Sequence, residues 1–216
     1  MSLALDKSNE EYPKVVFIVP YRDRQQQYDF FARQMAYVLE GTSHRILYIH
    51  QKDKRSFNRG AIKNIGFITI KELYPDTYKN ITLVFNDIDT MPYTKGFFNY
   101  ETVPGVVKHF YGFTFALGGI VSINAGDFER LNGFPNLWGW GYEDNALNQR
   151  AIKNNIRIDR TQFYKLLDKN ILHLQDGVVR DVKGCTNCGD WFTRIQMLHD
   201  FNLSLGEYWL HTFSRI

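Results

Sequence analysis

At residues 81–89 the chain reads ITLVFNDID. Its first five residues are apolar or β-branched without alternation, which is typical of a strand buried on both faces of a parallel sheet. Asp87 and Asp89 follow directly, where open parallel sheets bind their ligands. Two carboxylates at that position suit a hard divalent cation, whereas an Asx-rich turn before Pro92 is the structural alternative. The strand context favours the metal.

Similar apolar runs and helical patterns alternate along the rest of the chain. Strands are predicted over residues 15–19 and 45–50, and apolar spacing of 3.6 residues predicts helices over 24–40 and from Phe57 to Pro75, with Asn58 as a cap. Residues 93–113 lack clear periodicity and are expected to form a loop. Beyond them, the pattern predicts a strand after Gly118, a short helix over 127–131, a helix over 143–155, a short strand over 156–159 and a last strand over 208–213.

This order of elements predicts an α/β protein with a Rossmann-like mixed central sheet flanked by helices. Residues 1–13 are polar and are interpreted as a flexible lead-in, and residues 14–216 as a single domain. No internal repeat or low-complexity linker divides that range, so a second domain is not required.

Composition excludes some classes of function. The 216 residues carry a net charge of +3 with scattered basic residues, which argues against nucleic acid as a partner. No stretch reaches the ~20 apolar residues of a membrane span, and the first 14 residues lack the apolar run of a secretion signal. We therefore expect a protein that is soluble as given. Cys185 and Cys188 form a lone CxxC, interpreted as reduced thiols in a loop, with a local disulfide or metal clip as alternatives.

Basic residues stand at two positions suited to phosphate. Arg22 and Arg24 follow the first predicted strand, and Arg59 lies at the start of a predicted helix. A guanidinium matches phosphate oxygens as a planar fork, and a helix N-terminus favours anions. For the pair Arg22 and Arg24 alone, a solvated turn is the simpler interpretation.

A second polar stretch reads WGWGYEDN at residues 138–145. Tryptophan offers a flat face for a ring, and of the adjacent acids Glu143 and Asp144 one could accept a proton while the other holds a hydroxyl. A glycine turn with a packed tryptophan and a helix start is the structural alternative. Further on, His173 and Gln175 share one face of an extended segment, where His173 could complete a metal site begun by Asp89.

Several motifs, taken in order, resemble those of the β-1,4-galactosyltransferase family. They are FIVPYRDR at 17–24, FNRGA at 57–61, NIGF at 64–67, FNDID at 85–89, the glycine pair at 118–119, NGFPN at 132–136 and WGWGYED at 138–144. The similarity covers roughly residues 15–175, and its joint order and spacing is specific. The resemblance implies a GT-A fold, inversion at the anomeric carbon, a UDP-sugar donor and Mn²⁺.

The resemblance also implies roles for individual residues. Asp144 would be the base that deprotonates the acceptor hydroxyl, with Glu143 beside it. Asp89 would ligate the metal with His173 and Gln175. The donor would be held by Pro20, Tyr21, Arg22, Arg24, Phe57, Arg59, Asp87, Gly118, Gly119 and Trp140.

Three positions depart from the family pattern. Asn145 occupies the third place of a usually longer acidic run, which affects acceptor choice. Gln175 replaces a second histidine found in some members, so a weaker metal affinity is expected. Ala116 stands where the family often has a tyrosine that restricts donors to galactose, so we expect a roomier pocket that admits an N-acetyl group.

The resemblance predicts transfer of a hexose, Gal or GalNAc, to a sugar hydroxyl of a glycan or glycoconjugate. The alternative is a catalytically weak or inactive homologue that binds UDP-sugar or glycan, and an unrelated interaction protein is the third possibility. A cytoplasmic, viral or bacterial setting is favoured, with a trimmed Golgi ectodomain as the alternative.

Overall fold

The computed structural model describes residues 12–139, 141–174 and 208–213. Its strands are β1 Val15–Tyr21, β2 His44–Gln51, β3 Thr82–Asn86, β4 Thr90–Pro92, β5 Val106–Gly112, β6 Ile120–Asn124, β7 Arg157–Asp159, β8 Tyr164–Lys165, β9 Ile171–His173 and β10 Tyr208–Phe213. Its helices are α1 Gln25–Val38, α2 Arg59–Leu73, α3 Ala125–Arg130 and α4 Glu143–Lys153, with a 3₁₀ turn at Tyr78–Asn80.

The main sheet is mixed and has the strand order β10-β2-β1-β3-β6-β5-β7, with β8 paired to β5. β1 pairs in parallel with β2 and β3, whereas β6 runs antiparallel to β3 and to β5. β4 and β9 form a separate antiparallel pair. The predicted α/β architecture with a mixed central sheet is therefore confirmed.

Both faces of β1 are covered, which explains its continuous apolar run. Val16 and Ile18 belong to the same core cluster as the buried residues of α2, α3 and α4. Phe17 belongs to the opposite cluster, together with Phe31 and Met35 of α1. Because successive side chains of a strand point to opposite faces, a strand covered by helices on both sides needs apolar residues throughout.

The helices follow the sequence patterns with small shifts at their ends. Asn58 caps α2 as predicted, because its Oδ1 accepts a hydrogen bond from Ala61 N at 2.9 Å. α2 is buried on all sides from Gly60 to Phe67, whereas Ile68 is half-buried. None of the helices in the described ranges has both the length and the apolar character to cross a membrane.

The prediction of a loop over residues 93–113 is wrong in its second half, where β5 pairs with β6. The register shifts between His109 and Tyr111, so Phe110 and Tyr111 are both buried although they are adjacent. Such a bulge breaks the alternation by which a strand is identified. His109 adds to the effect, because it is a polar residue at a buried position of the strand.

Candidate active site

The site lies at the edge of the sheet where the parallel strands β1, β2 and β3 end. β6 runs antiparallel to β3, and Asn86 at the end of β3 pairs with Ile120 at the start of β6. Asp87 N then donates to Gly119 O at 3.0 Å. The aspartates after β3 and the glycine pair before β6 are therefore neighbours, although more than twenty residues separate them in sequence.

Arg59 lies at the centre of this edge and contacts three carboxylates. Its Nη2 is 2.5 Å from Asp87 Oδ1, and its Nη1 is 2.8 Å from Glu143 Oε1 and 2.9 Å from Asp144 Oδ2. Burial favours the neutral form of the guanidinium, but the three carboxylates outweigh it and hold the pKa of Arg59 well above its usual value. The sequence pattern predicted that Arg59 binds a phosphate. In the structure, a phosphate would have to compete with these carboxylates for the guanidinium.

Glycines allow the chain to come close to Asp144. A Cβ added to Gly118 would lie 2.3 Å from Asp144 Oδ2, so a larger residue would displace the carboxylate. Leu117 N also donates to Asp144 O at 3.0 Å. On the other side, a Cβ added to Gly60 would lie 2.3 Å from Pro135 O. The backbone before β6 therefore packs directly against Asp144, and the turn at Pro135 packs directly against α2.

Glu143 is buried and Asp144 is half-buried, and the two carboxyls differ in their protonation. Burial raises the pKa of Glu143, and the charge of Asp144 raises it further. Burial acts on Asp144 in the same sense, but Arg59 and Lys63 outweigh it and lower the pKa of that carboxyl. Asp144 is therefore the ionised member of the pair, and Glu143 is the member that retains a proton more readily.

Asp89 and His173 are brought together by the pairing of β4 with β9. Thr90 pairs with His173, and Leu174 N donates to Asp89 O at 2.8 Å. Burial raises the pKa of the Asp89 carboxyl, and the charge of Asp87 adds to the effect. Within the described ranges, no group of three or more histidine, cysteine, aspartate or glutamate side chains is arranged to hold a metal.

The predicted residues around β1 occupy the rim of the site. Arg24 Nη1 lies 3.7 Å from Asp89 Oδ2. The guanidinium of Arg22 lies 5.5 Å from the centre of the Phe57 ring, and Arg22 donates to the carbonyl oxygen of Arg55. Tyr21 follows Pro20 at the end of β1, and its ring stacks on His50 with centroids 4.7 Å apart. Arg24 is thus beside the aspartates after β3, whereas Arg22 is beside Phe57.

Positive φ angles recur among the described residues that lead into α4. Gly139, Gly141 and Tyr142 all have positive φ, and Gly139 N donates to Phe57 O at 3.3 Å. Trp138 is 40% exposed and carries the guanidinium of Arg55 over its ring at 4.1 Å. The structural alternative predicted a glycine turn, a packed tryptophan and a helix start, and the structure contains the turn and the helix start. Trp138, however, is not a core residue. The two acids in the first turn of α4 point into the site.

Four of the predicted positions, Trp140, Gln175, Cys185 and Cys188, lie outside the described residues, as does most of the predicted lead-in. Three residues in contact with the site were missed, namely Lys63, Tyr111 and His109. Lys63 bonds to Asp144, Tyr111 to His173, and His109 to the Gly118 carbonyl. The spacing of Lys63 from Arg59 was the available signal, because residues four apart share one face of a helix.

The fold is of the GT-A type. The catalytic domain of Drosophila beta-1,4-galactosyltransferase 7, solved with xylobiose, matches with a TM-score of 0.71 and 23% identity, covering 85% of this chain and 80% of that one. A mutant of the same enzyme, solved with manganese, UDP-Gal and xylobiose, matches with a TM-score of 0.70 and 22% identity over the same shares.

Sequence comparisons give the family. Residues 7–99 match the N-terminal region of glycosyl transferase group 7, and residues 106–174 match the N-terminal domain of galactosyltransferase. The xylosylprotein 4-beta-galactosyltransferase of Caenorhabditis elegans is 32% identical over 69% of this chain and 54% of its own length. Beta-1,4-galactosyltransferase 7 of Drosophila melanogaster is 28% identical over 81% and 56%.

The chain therefore belongs to the β-1,4-galactosyltransferase family, glycosyltransferase family 7. It spans about half the length of these two curated relatives. The resemblance stated from the motifs is confirmed, and so is the predicted GT-A fold.

Proposed function

We propose that this chain is a metal-dependent inverting glycosyltransferase that moves a hexose from a UDP-sugar to a sugar hydroxyl of a glycan. The observation that carries the proposal is the contact of Arg59 with both Asp87 and Asp144. Asp87 belongs to the aspartate pair on the predicted donor side, and Asp144 is the predicted base. One cation thus connects the predicted donor side to the predicted base, and a transfer between two sugars needs both.

The residues near Asp89 fit a divalent cation. A buried carboxylate and an imidazole are ligand types that Mn²⁺ accepts, and burial together with the charge of Asp87 raises the pKa of Asp89, so a bound cation would stabilise its charged form. His173 Nδ1 lies 3.2 Å from the Tyr111 hydroxyl. With Nδ1–H donating to that oxygen, Nε2 keeps the lone pair that a metal needs. Asp89 and His173 would be two ligands, and Gln175 is the proposed third.

The reaction requires one base and one leaving group. Asp144 takes the proton of the acceptor hydroxyl, whose oxygen forms a bond to C1 of the donor sugar while the bond from C1 to the UDP oxygen breaks with its electron pair. Attack opposite the leaving group inverts C1. A divalent cation, when bound, stabilises the negative charge that develops on the departing diphosphate. Arg24 and Arg22, at the rim, are proposed to bind the diphosphate, and Pro20, Tyr21 and Phe57 the uridine.

Binding of the donor would alter the environment of Asp144. A diphosphate that draws one N–H group of Arg59 towards itself removes a partner from Asp144 Oδ2. The pKa of Asp144 then rises from its lowered value, so the carboxylate becomes a stronger base when a donor is present. Arg59 would thus contact the phosphates, as the sequence motif implies, once its contact with one of the three carboxylates is broken.

The acceptor class is supported by an exposed aromatic pair. Phe113 and Phe115 are 47% and 61% exposed, and their rings stack with centroids 5.1 Å apart. They belong to the segment that leads to Gly118, which contacts Asp144. Exposed flat apolar faces in the segment that leads to Gly118 suit the C–H face of a sugar ring, so a glycan acceptor is preferred over a small polar alcohol.

The donor sugar is proposed to be galactose or N-acetylgalactosamine. Ala116 lies two residues before Gly118, where the family often has tyrosine, and an alanine leaves room for an N-acetyl group at C2.

UDP release tests the proposal directly. The assay combines UDP-galactose or UDP-N-acetylgalactosamine with xylobiose and other short glycans, in Mn²⁺ or in chelator, on the wild type and on Asp144→Asn. We expect metal-dependent release that falls at least about a hundredfold in Asp144→Asn, because a positioned base contributes on the order of 10²–10⁴. Asp159→Asn, on β7 and bonded to Thr161 N, is the matched control and keeps wild-type release.

The other outcomes have separate meanings. Release that survives in Asp144→Asn moves the base to Glu143. Binding of UDP with Mn²⁺ but no release with any donor and acceptor supports the inactive homologue. A protein that neither releases nor binds UDP contradicts both functions.

A further inference from the structure

Lys63 is a buried cation whose role the family motifs do not explain. It lies on α2, one turn after Arg59, and is 1% exposed. Its Nζ is 2.8 Å from Asp144 Oδ1 and lies 4.5 Å from the centre of the Phe134 ring. An ammonium group is almost never buried without a charged partner, because its desolvation is costly. Its partner here is the proposed base.

The two oxygens of Asp144 are held in different ways. Oδ1 contacts Lys63, and Oδ2 contacts Arg59 next to Gly118. Arg59 divides its guanidinium among three carboxylates and is 15% exposed in its side chain, whereas the Lys63 side chain is covered. A donor phosphate can therefore reach and recruit Arg59 but not Lys63.

We propose that Lys63 is a positioning residue that holds Asp144 through Oδ1, so that Oδ2 is the oxygen presented to the acceptor hydroxyl. This inference rests on the proposed transferase function. Lys63 does not touch substrate, and it acts through Asp144. Lys63 keeps the Asp144 carboxylate oriented and compensates its charge while Arg59 replaces a contact to a carboxylate with a contact to a phosphate.

The charges around Asp144 agree with this role. Arg59 and Lys63 face three carboxylates, those of Asp87, Glu143 and Asp144, so the cluster is balanced when Glu143 carries a proton. Burial raises the pKa of Asp144, and Arg59 and Lys63 together lower it. Without Lys63, Arg59 would be the one cation that compensates the charge of all three carboxyls. The proton carried by Glu143 would then be shared with Asp144. His109 is also near, on the other side of Gly118, and its pKa is lowered to about 4, so it is neutral at ordinary pH.

Lys63→Met tests the inference in the intact protein, with UDP-galactose, Mn²⁺ and xylobiose as the probe. We expect kcat to fall between about tenfold and a hundredfold, because a small misplacement of a catalytic group has that effect. KM for the donor stays within about threefold, and the acid limb of the pH profile of kcat/KM moves up by about one unit or more. Lys63→Arg, which keeps the charge, returns the limb towards the wild-type position.

Two further variants separate positioning from folding. Lys71→Met is the matched control, because Lys71 lies on the same helix and pairs with Glu129 at 2.6 Å, away from the site. It keeps the wild-type pH profile. If Lys63→Met does not fold, Lys63→Gln removes the charge and retains a hydrogen-bond donor. An acid limb that stays in place in a folded, neutral Lys63 variant overturns the inference.

A titration that needs no turnover keeps the two proposals distinguishable. The side-chain carboxyl carbon of Asp144, assigned by its loss in Asp144→Asn, is followed by ¹³C NMR against pH in wild type and in Lys63→Met. We expect it to titrate at higher pH in the variant, and equal titration in both contradicts the inference. Absence of UDP release from the wild type rejects the transferase alone, because the titration still reports on Lys63.

Discussion

Glu143 and Asp144 are adjacent residues in the first turn of α4, yet their surroundings differ. Glu143 shares one N–H group of Arg59 with its neighbour, whereas Asp144 has both Arg59 and Lys63. Burial therefore determines the protonation of Glu143, and the two cations determine that of Asp144. Two carboxyls with pKa values moved in opposite directions are a common arrangement in acid–base sites.

Ala116 offers a test of donor choice at a single residue. We expect the wild type to turn over UDP-N-acetylgalactosamine at least as fast as UDP-galactose. Ala116→Tyr should lower the ratio of the two rates by about tenfold or more, because a ring in the space of the N-acetyl group excludes it by sterics. The rates with both donors are measured by UDP release under one acceptor concentration.

The rate with UDP-galactose in Ala116→Tyr is the internal control, because a misfolded variant would lose both activities. Ala116 is buried, so loss of both rates would mean that the ring is not accommodated at all. A wild type that is slower with UDP-N-acetylgalactosamine contradicts the prediction.

At the scale of single residues, the sequence predicted some of the residues that meet in the site but not all of them. Asp87, Asp144 and Gly118 stood in motifs, and the structure brings them to one place. The roles assigned to them remain proposals. Lys63 was not identified, because a lysine between apolar helix positions is usually a solvated residue, and its burial depends on where α4 lies.

Among the elements, the turn before α4 is fixed to α2 by Asn64. Its Nδ2 donates to Phe134 O at 2.8 Å, and its Oδ1 accepts from Phe134 N at 2.9 Å. A Cβ added to Gly133, which has φ +58°, would lie 2.4 Å from the same Oδ1. The motifs NIGF and NGFPN are therefore two halves of one contact, which sets the position of α4 and its acidic pair relative to Arg59.

Asn64→Leu should destabilise the protein by about 2–4 kcal/mol, because it leaves a buried N–H and a buried carbonyl without partners. For a chain of this size, that lowers Tm by on the order of 10 °C. The measurement is thermal and chemical unfolding followed by circular dichroism.

Asn154→Leu is the matched control at the end of α4. Asn154 is exposed and its Nδ2 donates to Arg150 O at 2.9 Å, so its loss should change the free energy of unfolding by less than about 0.5 kcal/mol. Equal destabilisation by the two variants would show that the Asn64 contact does not hold the turn.

Elements with regular periodicity were predictable, and the irregular one was not. β1, β2, β3, α1 and α2 each repeat one apolar pattern, because each is covered in a uniform way. β5 carries a bulge and a buried histidine, so its pattern is interrupted where its pairing with β6 shifts. The interruption accompanies a shift in the pairing with β6 and the contact of His109 with the Gly118 carbonyl, neither of which the apolar pattern of β5 itself contains.

At the scale of the whole molecule, the topology brings together residues that are far apart in the chain. Parallel strands end at one edge, so the segments after β1, β2 and β3 meet there, and antiparallel β6 starts at the same edge. The sequence was sufficient to predict this edge. It was not sufficient to predict that Arg59 would bind carboxylates, because that contact depends on how α2 and α4 approach each other in three dimensions.

His109 links the site to the far part of the sheet and predicts how global stability depends on pH. Its Nε2 lies 3.1 Å from the carbonyl oxygens of Tyr111 and Gly118, and Arg160 Nε donates to its Nδ1 at 3.2 Å. Neutral imidazole, with its proton on Nε2, satisfies all three contacts. Burial, and then the charge of Arg160, lowers the pKa of His109 from 6.5 to about 4.

Between those pH values the unfolded chain binds a proton that the folded protein excludes, so stability falls as the pH decreases from 6.5 to 4. The full loss corresponds to about 3 kcal/mol. His109→Gln, which cannot titrate, should remove this part of the pH dependence, measured by urea unfolding at pH 7, 5.5 and 4. Arg160→Gln should give an intermediate slope, because burial, the larger cause, remains. Stability curves that run parallel in wild type and His109→Gln would contradict the prediction, because the histidine would then bind its proton at the same pH in the folded and the unfolded chain.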